Sequence, residues 1–351
     1  MGAKVLPYIP HRVDEGYGLS VKGISNVKLQ ISNVKLIITV DNGIVANDAV
    51  DFAKKQGIDV IITDHHVPGK KPPKAYAIVH TTKLCGAGVA YLLSEEIKNQ
   101  KSKIKSDDDH LELVALASIA DLVPLTGSTR TLVKYGLPAL RKTKRVGLLE
   151  LFRQAAIDKN SIGVYEVGHI IAPRLNAMGR LESAMDSLRL ICTKDKTRAQ
   201  TLAFKLGSTN RERQKFTEEA VLHAVSEVRG RKSEIGKLLF IAHESYQQGV
   251  IGLVAGKLVE EYYLPSIVVS KGAVYSKASA RSISGFNIIE FIRGASDLLV
   301  DAGGHPMAAG FTVETQKLLV LQKKLEELAL KQITEEMLIQ NLKIDCFIEL
   351  S

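Results

Sequence analysis

Short β-branched runs alternate with stretches of helical spacing in the first third of the chain. Leu36 to Val40 reads as a strand closed by Asp41-Asn42-Gly43. Asn47 to Gln56 then carries Ala49, Val50, Phe52 and Ala53 at helical spacing, with Asn47 as the expected N-cap and Gly57 as the expected stop. A second strand, Ile58 to Thr63, ends at Asp64-His65-His66. Strand, helix, strand in so few residues is a βαβ unit, hence two parallel strands with a right-handed crossover. Ala75 to Val79 reads as a third strand, and Gly88 to Asn99 and Asp108 to Ile119 as helices.

The middle of the chain is helical. Ala184 to Leu190 is one helix, and Thr197 to Glu227 is a long one with a basic, polar stretch from Asn210 to Lys215, suited to bridging two domains. Alternation returns at Leu238 to Ala242, followed by a helix over Val250 to Glu260 and a strand over Ser266 to Ser270. A glycine-rich segment, Gly303 to Gly310, precedes an amphipathic helix over Thr315 to Gln332 and a last strand over Leu342 to Leu350. The expected fold class is α/β: a parallel-sheet domain plus a smaller α/β domain, joined by a long helix. Upstream, Ile24 to Leu29 and Ile31 to Leu36 both read ISNVKL. One doublet is not a solenoid, and it reads as a small duplication in a surface connection.

Composition narrows the class. At 351 residues, 45% hydrophobic and 24% charged, the chain is globular and long enough for about two domains. Its 47 basic and 38 acidic residues leave a net charge of +9, which favours a polyanionic partner. Cys85, Cys192 and Cys346 are too few and too scattered for a disulfide framework or a cysteine zinc site, which fits a reducing cytoplasm. No apolar run approaches the ~18 residues of a membrane span, and Met1 to Pro10 lack a signal-peptide pattern. With no tryptophan and 5% aromatics, a multi-ring stacking platform is not the expected device.

The strand ends carry the chemistry. Asp41 closes one strand and Asp64-His65-His66 the next parallel one. Neighbouring strands lie ~4.8 Å apart, so these side chains share the carboxyl edge of one sheet, where open α/β sheets place ligands. Two aspartates and two histidines there suit Mn²⁺ or Mg²⁺ phosphoryl chemistry, or zinc. Asp121 interrupts the apolar run from Leu111 to Leu125, so it is capped, paired, exposed or metal-bound. Gly303, Gly304 and His305 could admit an anion to the backbone. Ser279 and Arg281 offer a hydroxyl and a guanidinium to a phosphate. Arg174 and Arg180 either face a phosphate or pair with a carboxylate such as Glu182, while His169 and His223 read as structural.

These residues resemble known motifs. Asp41 in VDNG, Asp64-His65-His66 and Asp121 in ASIADLVP are similar to motifs of the DHH phosphoesterase superfamily. PYIPHRVDEGYGLS, APRLNAMGRL, SARSISGFN and GGHPMAAGF narrow the resemblance to its RecJ family of single-strand-specific 5′→3′ DNA exonucleases, over nearly the whole chain. The resemblance implies a DHH domain over 1–160, a helical connector over 161–234 and a DHHA1 nucleic-acid-binding domain over 235–313. A helix over 314–336 and the start of an oligonucleotide-binding barrel over 337–351 would follow. The family's first motif, an Asp-x-Asp pair after its first strand, is expected ahead of Val5 and is not in these residues. The expectation is therefore a fragment of impaired activity, with a sheet edge exposed beside Leu36 to Val40.

By the same resemblance, Asp41 bridges two Mn²⁺ or Mg²⁺ ions, and His65 and Asp121 bind one of them. Asp64 orients the ligands, and His66 faces the scissile phosphate. One ion generates hydroxide and both stabilise charge on the phosphate. Arg174, Arg180, Ser279, Arg281, Gly303, Gly304 and His305 hold nucleic acid in a cleft between domains that admits one strand. The implied setting is DNA repair and recombination in the cytoplasm, by a monomer that acts on single-stranded DNA and meets single-strand-binding protein and a helicase. Two rival readings are a non-catalytic nucleic-acid-binding or scaffold member and a DHH oligonucleotide phosphodiesterase.

Overall fold

A computed structural model describes residues 5–11, 15–16, 18–31, 33–100, 110–230, 236–342, 344 and 346–347. The chain divides between Asn210 and Arg211 into two compact units. The division falls inside one continuous helix.

The first unit opens with α1 (Val21–Gln30), capped by Ser20, whose hydroxyl accepts the Gly23 N–H at 3.0 Å. Then come β1 (Leu36–Val40), α2 (Asn47–Lys55), β2 (Asp59–Asp64) and β3 (Ala77–His80). The three strands form one parallel sheet in the order β1-β2-β3. Ile24, Val50, Ala53, Val60 and Ile62 bury one face of it against α1 and α2. The βαβ reading therefore holds. Gly57 stops α2 with a left-handed φ of 69°, which glycine adopts without a Cβ clash. Asn47, however, does not cap α2: the cap is Ala46, and Asn47 is the first helical residue, reaching the Lys71 carbonyl instead.

The ISNVKL doublet is not a duplicated connection. The first copy lies inside α1 with Ile24 buried, whereas the described residues of the second lie outside any helix and lead into β1 at Leu36. The same six residues take two conformations because only the first follows a capped start and meets the α2 face. β1 is an edge of its sheet, and Leu36, Ile38 and Val40 remain about half exposed along one face.

A helical layer follows: α3 (Gly86–Gln100), α4 (Leu111–Ala120), α5 (Gly127–Arg141) and α6 (Val146–Gln154). Beyond it, Glu166–Ile171 forms a π-helical turn that runs directly into α7 (Ala172–Leu181). Pro173 has no N–H to donate, and the widened turn absorbs the missing rung. α8 (Met185–Cys192) and the first half of α9 (Lys196–Gly230) complete a core around Leu148, Leu151, Ile171, Met178 and Leu206.

The second unit is built on a five-stranded sheet: β4 (Leu239–His243), β5 (Ser266–Ser270), β6 (Tyr275–Arg281), β7 (Leu299–His305) and β8 (Ala308–Glu314), in the order β4-β5-β6-β8-β7. Only β4 and β5 run parallel. α10 (Ile251–Tyr262) and the second half of α9 bury one face of β4 and β5. α11 (Ile288–Arg293) and α12 (Leu318–Gln332) bury the other face, around Ile267, Ala280, Phe311 and Leu321. The glycine-rich segment is not a free loop. Gly303 and Gly304 lie in β7, Ala308 and Gly310 in β8, and Pro306-Met307 turn the hairpin. The strand expected over Leu342 to Leu350 lies largely outside the described residues, and its described members are in no strand.

Candidate metal centre and nucleic-acid face

Register sets the first site. Val40 pairs with Thr63 and Asp64 with His80, and the Asp41 N–H donates to the Thr63 carbonyl at 2.9 Å. Asp41 and Asp64 thus sit side by side at the carboxyl edge. Asp41 has a left-handed φ of 67°. It rests against the backbone of Gly86, where any Cβ would overlap the aspartate side chain. Asp121, at the C-cap of α4, comes to the same edge.

The carboxylates converge on His65. Its Nε2 lies 3.0 Å from Asp41 Oδ1 and 3.4 Å from Asp121 Oδ2. Neither approach has hydrogen-bond geometry, so Nε2 is a buried ring nitrogen left unsatisfied. Asp41, His65 and His66 each offer a ligand atom within 4.8 Å of the others. A nitrogen lone pair and two carboxylate oxygens facing one point are satisfied by a cation there. That donor set suits Mn²⁺, with Mg²⁺ the harder alternative. Burial pushes both the Asp41 and Asp121 carboxyls above the usual range, and for Asp41 the Asp121 charge adds to it while His65 opposes. Both carboxylates are thus under-compensated by the protein alone.

Asp64 plays a different part. It is 1% exposed, and its oxygens accept the N–H groups of Ile44 at 2.9 Å, His65 at 2.7 Å and His66 at 3.2 Å. It also accepts His66 Nδ1 at 2.7 Å. Burial alone would raise its pKa, but these four bonds outweigh that and hold it well below the carboxylate range. The Asp64 bond fixes the His66 tautomer and raises its pKa. His80 Nε2 donates to the His66 carbonyl at 2.7 Å, so the third strand braces the loop.

The second unit gathers Ser279, Arg281, Gly303 and His305 on one sheet face, while Gly304 faces the other side of β7, where a Cβ would overlap Ala308 and Ala309. Ser279 aligns with Gly310 and Gly303, and Arg281 with Ala308 and His305, across β6, β8 and β7. Arg281 donates to Ser279 Oγ at 3.1 Å and to the Ala280 carbonyl at 2.9 Å. Gly252, in the first turn of α10, lies so close that a Cβ would stand 2.9 Å from both Arg281 Nη2 and Ser279 Oγ. A Cβ on Gly303 would meet nothing within 4 Å, so packing does not require that glycine. Arg174 and Arg180 are half-buried on α7, and Arg174 donates to the Ile170 carbonyl at 2.8 Å and to Gln154 at 3.3 Å. Glu182 pairs with Lys205.

Sequence reasoning passed over Gly86 and Gly252, because a glycine's role as a cradle depends on a partner distant in the chain. His223, read as structural, shares a 2.7 Å hydrogen bond with the Tyr246 hydroxyl and packs at a tilt against His243, with ring centroids 4.4 Å apart.

Comparison with known proteins decides the family. Residues 1–118 match the DHH family N-terminal domain, and residues 235–331 match the DHHA1 domain. A solved structure of exonuclease RecJ bound to manganese shares 32% identity with a TM-score of 0.79, over 95% of this chain and 84% of that one. This chain belongs to the RecJ family. The single-stranded-DNA-specific exonuclease RecJ of Bacillus subtilis is 38% identical over 98% of this chain. RecJ of Thermus thermophilus is 35% identical over 90% of it. The chain spans 44% and 46% of those two RecJ proteins, about half their length. The fold is accordingly that of the RecJ family, a mixed α/β chain with DHH and DHHA1 domains linked by α9. Among the described residues no helix is long and apolar enough to cross a membrane.

Proposed function

We propose that this chain is a metal-dependent exonuclease that hydrolyses phosphodiester bonds of single-stranded DNA from the 5′ end. The observation that carries this reading is the buried, unsatisfied Nε2 of His65 with Asp41 and Asp121 converging on it. The family's DNA specificity and the manganese-bound relatives support the substrate and the ion.

Asp41, His65 and Asp121 would hold Mn²⁺ or Mg²⁺. When bound, such an ion supplies a nucleophile at neutral pH and compensates charge on the phosphate. The chain's own groups do the rest. Asp64 stays ionised, locks the His65-His66 backbone and orients His66 through its Nδ1. His66, about 40% exposed and raised in pKa by that bond, turns its Nε2 side toward the scissile phosphate. In the second unit, Ser279, Arg281 and His305 grip the nucleotide end, with Gly303 leaving the floor clear and Gly304 letting β7 approach Ala308 and Ala309 in the same hairpin. Arg174 and Arg180 add positive charge along the strand. These are phosphate contacts, so they carry no base information. The reading also places the protein in the cytoplasm as a monomer, with single-strand-binding protein and a helicase as partners in repair and recombination.

The test is release of nucleotides from 5′-labelled single-stranded and duplex DNA with Mn²⁺. Release from the single strand alone, reduced at least 100-fold by His65→Ala, is the expected result. Equal rates for the two proteins would reject the site.

A further inference from the structure

Leu122 joins a left-handed backbone to an exposed side chain, one residue beyond Asp121. Its φ is 58°, in the left-handed region where leucine meets its own carbonyl. Its side chain is 86% exposed and belongs to none of the buried clusters. The position is C′ of α4. The Asp121 N–H closes on the Ala117 carbonyl and the Leu122 N–H on the Ile119 carbonyl at 3.2 Å, a helix stop that glycine or asparagine ordinarily fills. Tyr263 takes the same conformation at the end of α10, but its ring packs on the core of the second unit, which accounts for the residue there. Among the described residues, no packing contact accounts for a leucine at 122. Local rules broken without a compensating contact mark functional positions.

Location says what the function is. Asp121 Oδ2 stands 3.4 Å from His65 Nε2, and the Leu122 Cα lies one peptide, ~3.8 Å, from the Asp121 Cα. A phosphate held by that cluster brings its sugar and base alongside. An aliphatic side chain offers no hydrogen bond to a phosphate or a sugar hydroxyl, but it packs on the apolar face of any base. We propose that Leu122 is a nucleobase contact, a wedge on which the base beside the scissile phosphate rests. Because every base has such a face, the contact is sequence-tolerant. The inference rests on the single-strand exonuclease reading.

The experiment compares the chain with Leu122→Asn, Leu122→Gly and Leu122→Met. Each is assayed by melting and by binding to two single-stranded oligonucleotides with hydrolysis-resistant phosphorothioate links. One oligonucleotide is normal, and the other is abasic at its 5′-terminal positions. Asn and Gly should leave Tm unchanged or raise it by about 2 °C, since both tolerate the left-handed turn. They should weaken the normal strand about tenfold, the size of one lost stacking contact. They should bind the abasic strand as the parent does, and Met should restore the normal affinity. A fall of several degrees in Tm with both strands weakened would make Leu122 a structural cap and overturn the proposal. So would unchanged affinity, or equal losses on the two oligonucleotides. If the parent chain binds neither strand while His65→Ala changes nothing, the exonuclease reading itself fails. If the parent binds both equally well, only the Leu122 assignment falls.

Discussion

A carboxylate at the C-terminal end of a helix faces the negative pole of the helix dipole and is disfavoured there. Asp121 occupies that position on α4, and Asp41 sits in a left-handed conformation at the end of β1. Each is a poor choice for stability alone and a sound one for a cation site, because the ion compensates what the fold does not. Gly86 makes the arrangement fit, since a Cβ there would overlap Asp41 Cβ and Oδ1. Gly86→Ala should therefore push Asp41 away from His65. Mn²⁺ affinity should fall at least tenfold by calorimetry, with a stability loss of about 1–3 kcal/mol from overpacking. An alanine variant that binds Mn²⁺ as the parent does would show that Asp41 is not a ligand.

At the scale of elements, the second unit places Ser279, Arg281 and His305 on one face of β6, β8 and β7, with α10 beginning over Ser279 and Arg281. The crowding at Gly252 falls on two side chains, the far end of Arg281 and the rotatable Ser279 hydroxyl, not on backbone. Gly252→Ala should thus be harmless to folding, or stabilising by up to ~1 kcal/mol from helix propensity. It should nevertheless displace the Arg281 head and weaken single-stranded DNA. Binding isotherms across salt concentrations check this: the loss should appear at every sequence alike, with a shallower salt slope. Stronger or unchanged binding would remove Arg281 from the interface. Here an element's local preference and its function pull in opposite directions, as they do at Leu122.

For the whole molecule, the metal is expected to act as a folding ligand. Something that binds only the native state stabilises it by mass action, ~2.7 kcal/mol at 100 times its Kd. Mn²⁺ should raise the melting temperature of the chain, EDTA should reverse the rise, and His65→Ala should abolish it. The readout needs no DNA, so it separates metal binding from hydrolysis. A rise that survives His65→Ala would place the ion elsewhere.

The sequence by itself determined the order of strands and helices around Asp41 and Asp64-His65-His66. Hydrophobic periodicity is a local property, and parallel βαβ units put strand ends on one edge. It also placed the long helix and both core strands β4 and β5, for the same reason. What only the tertiary structure decided involves partners distant in the chain. The first ISNVKL became helix and the described residues of the second did not, because α2 offers a face to the first. The glycine-rich segment became a hairpin because β8 had β6 to pair with. Arg174 turned toward the Ile170 carbonyl beside a proline-driven π turn. Gly86 and Gly252 acquired meaning only from the side chains brought against them, and the strain at Leu122 only from the turn that keeps Asp121 at the sheet edge. Contacts between residues far apart in sequence depend on the assembled fold, and no window along the chain contains them.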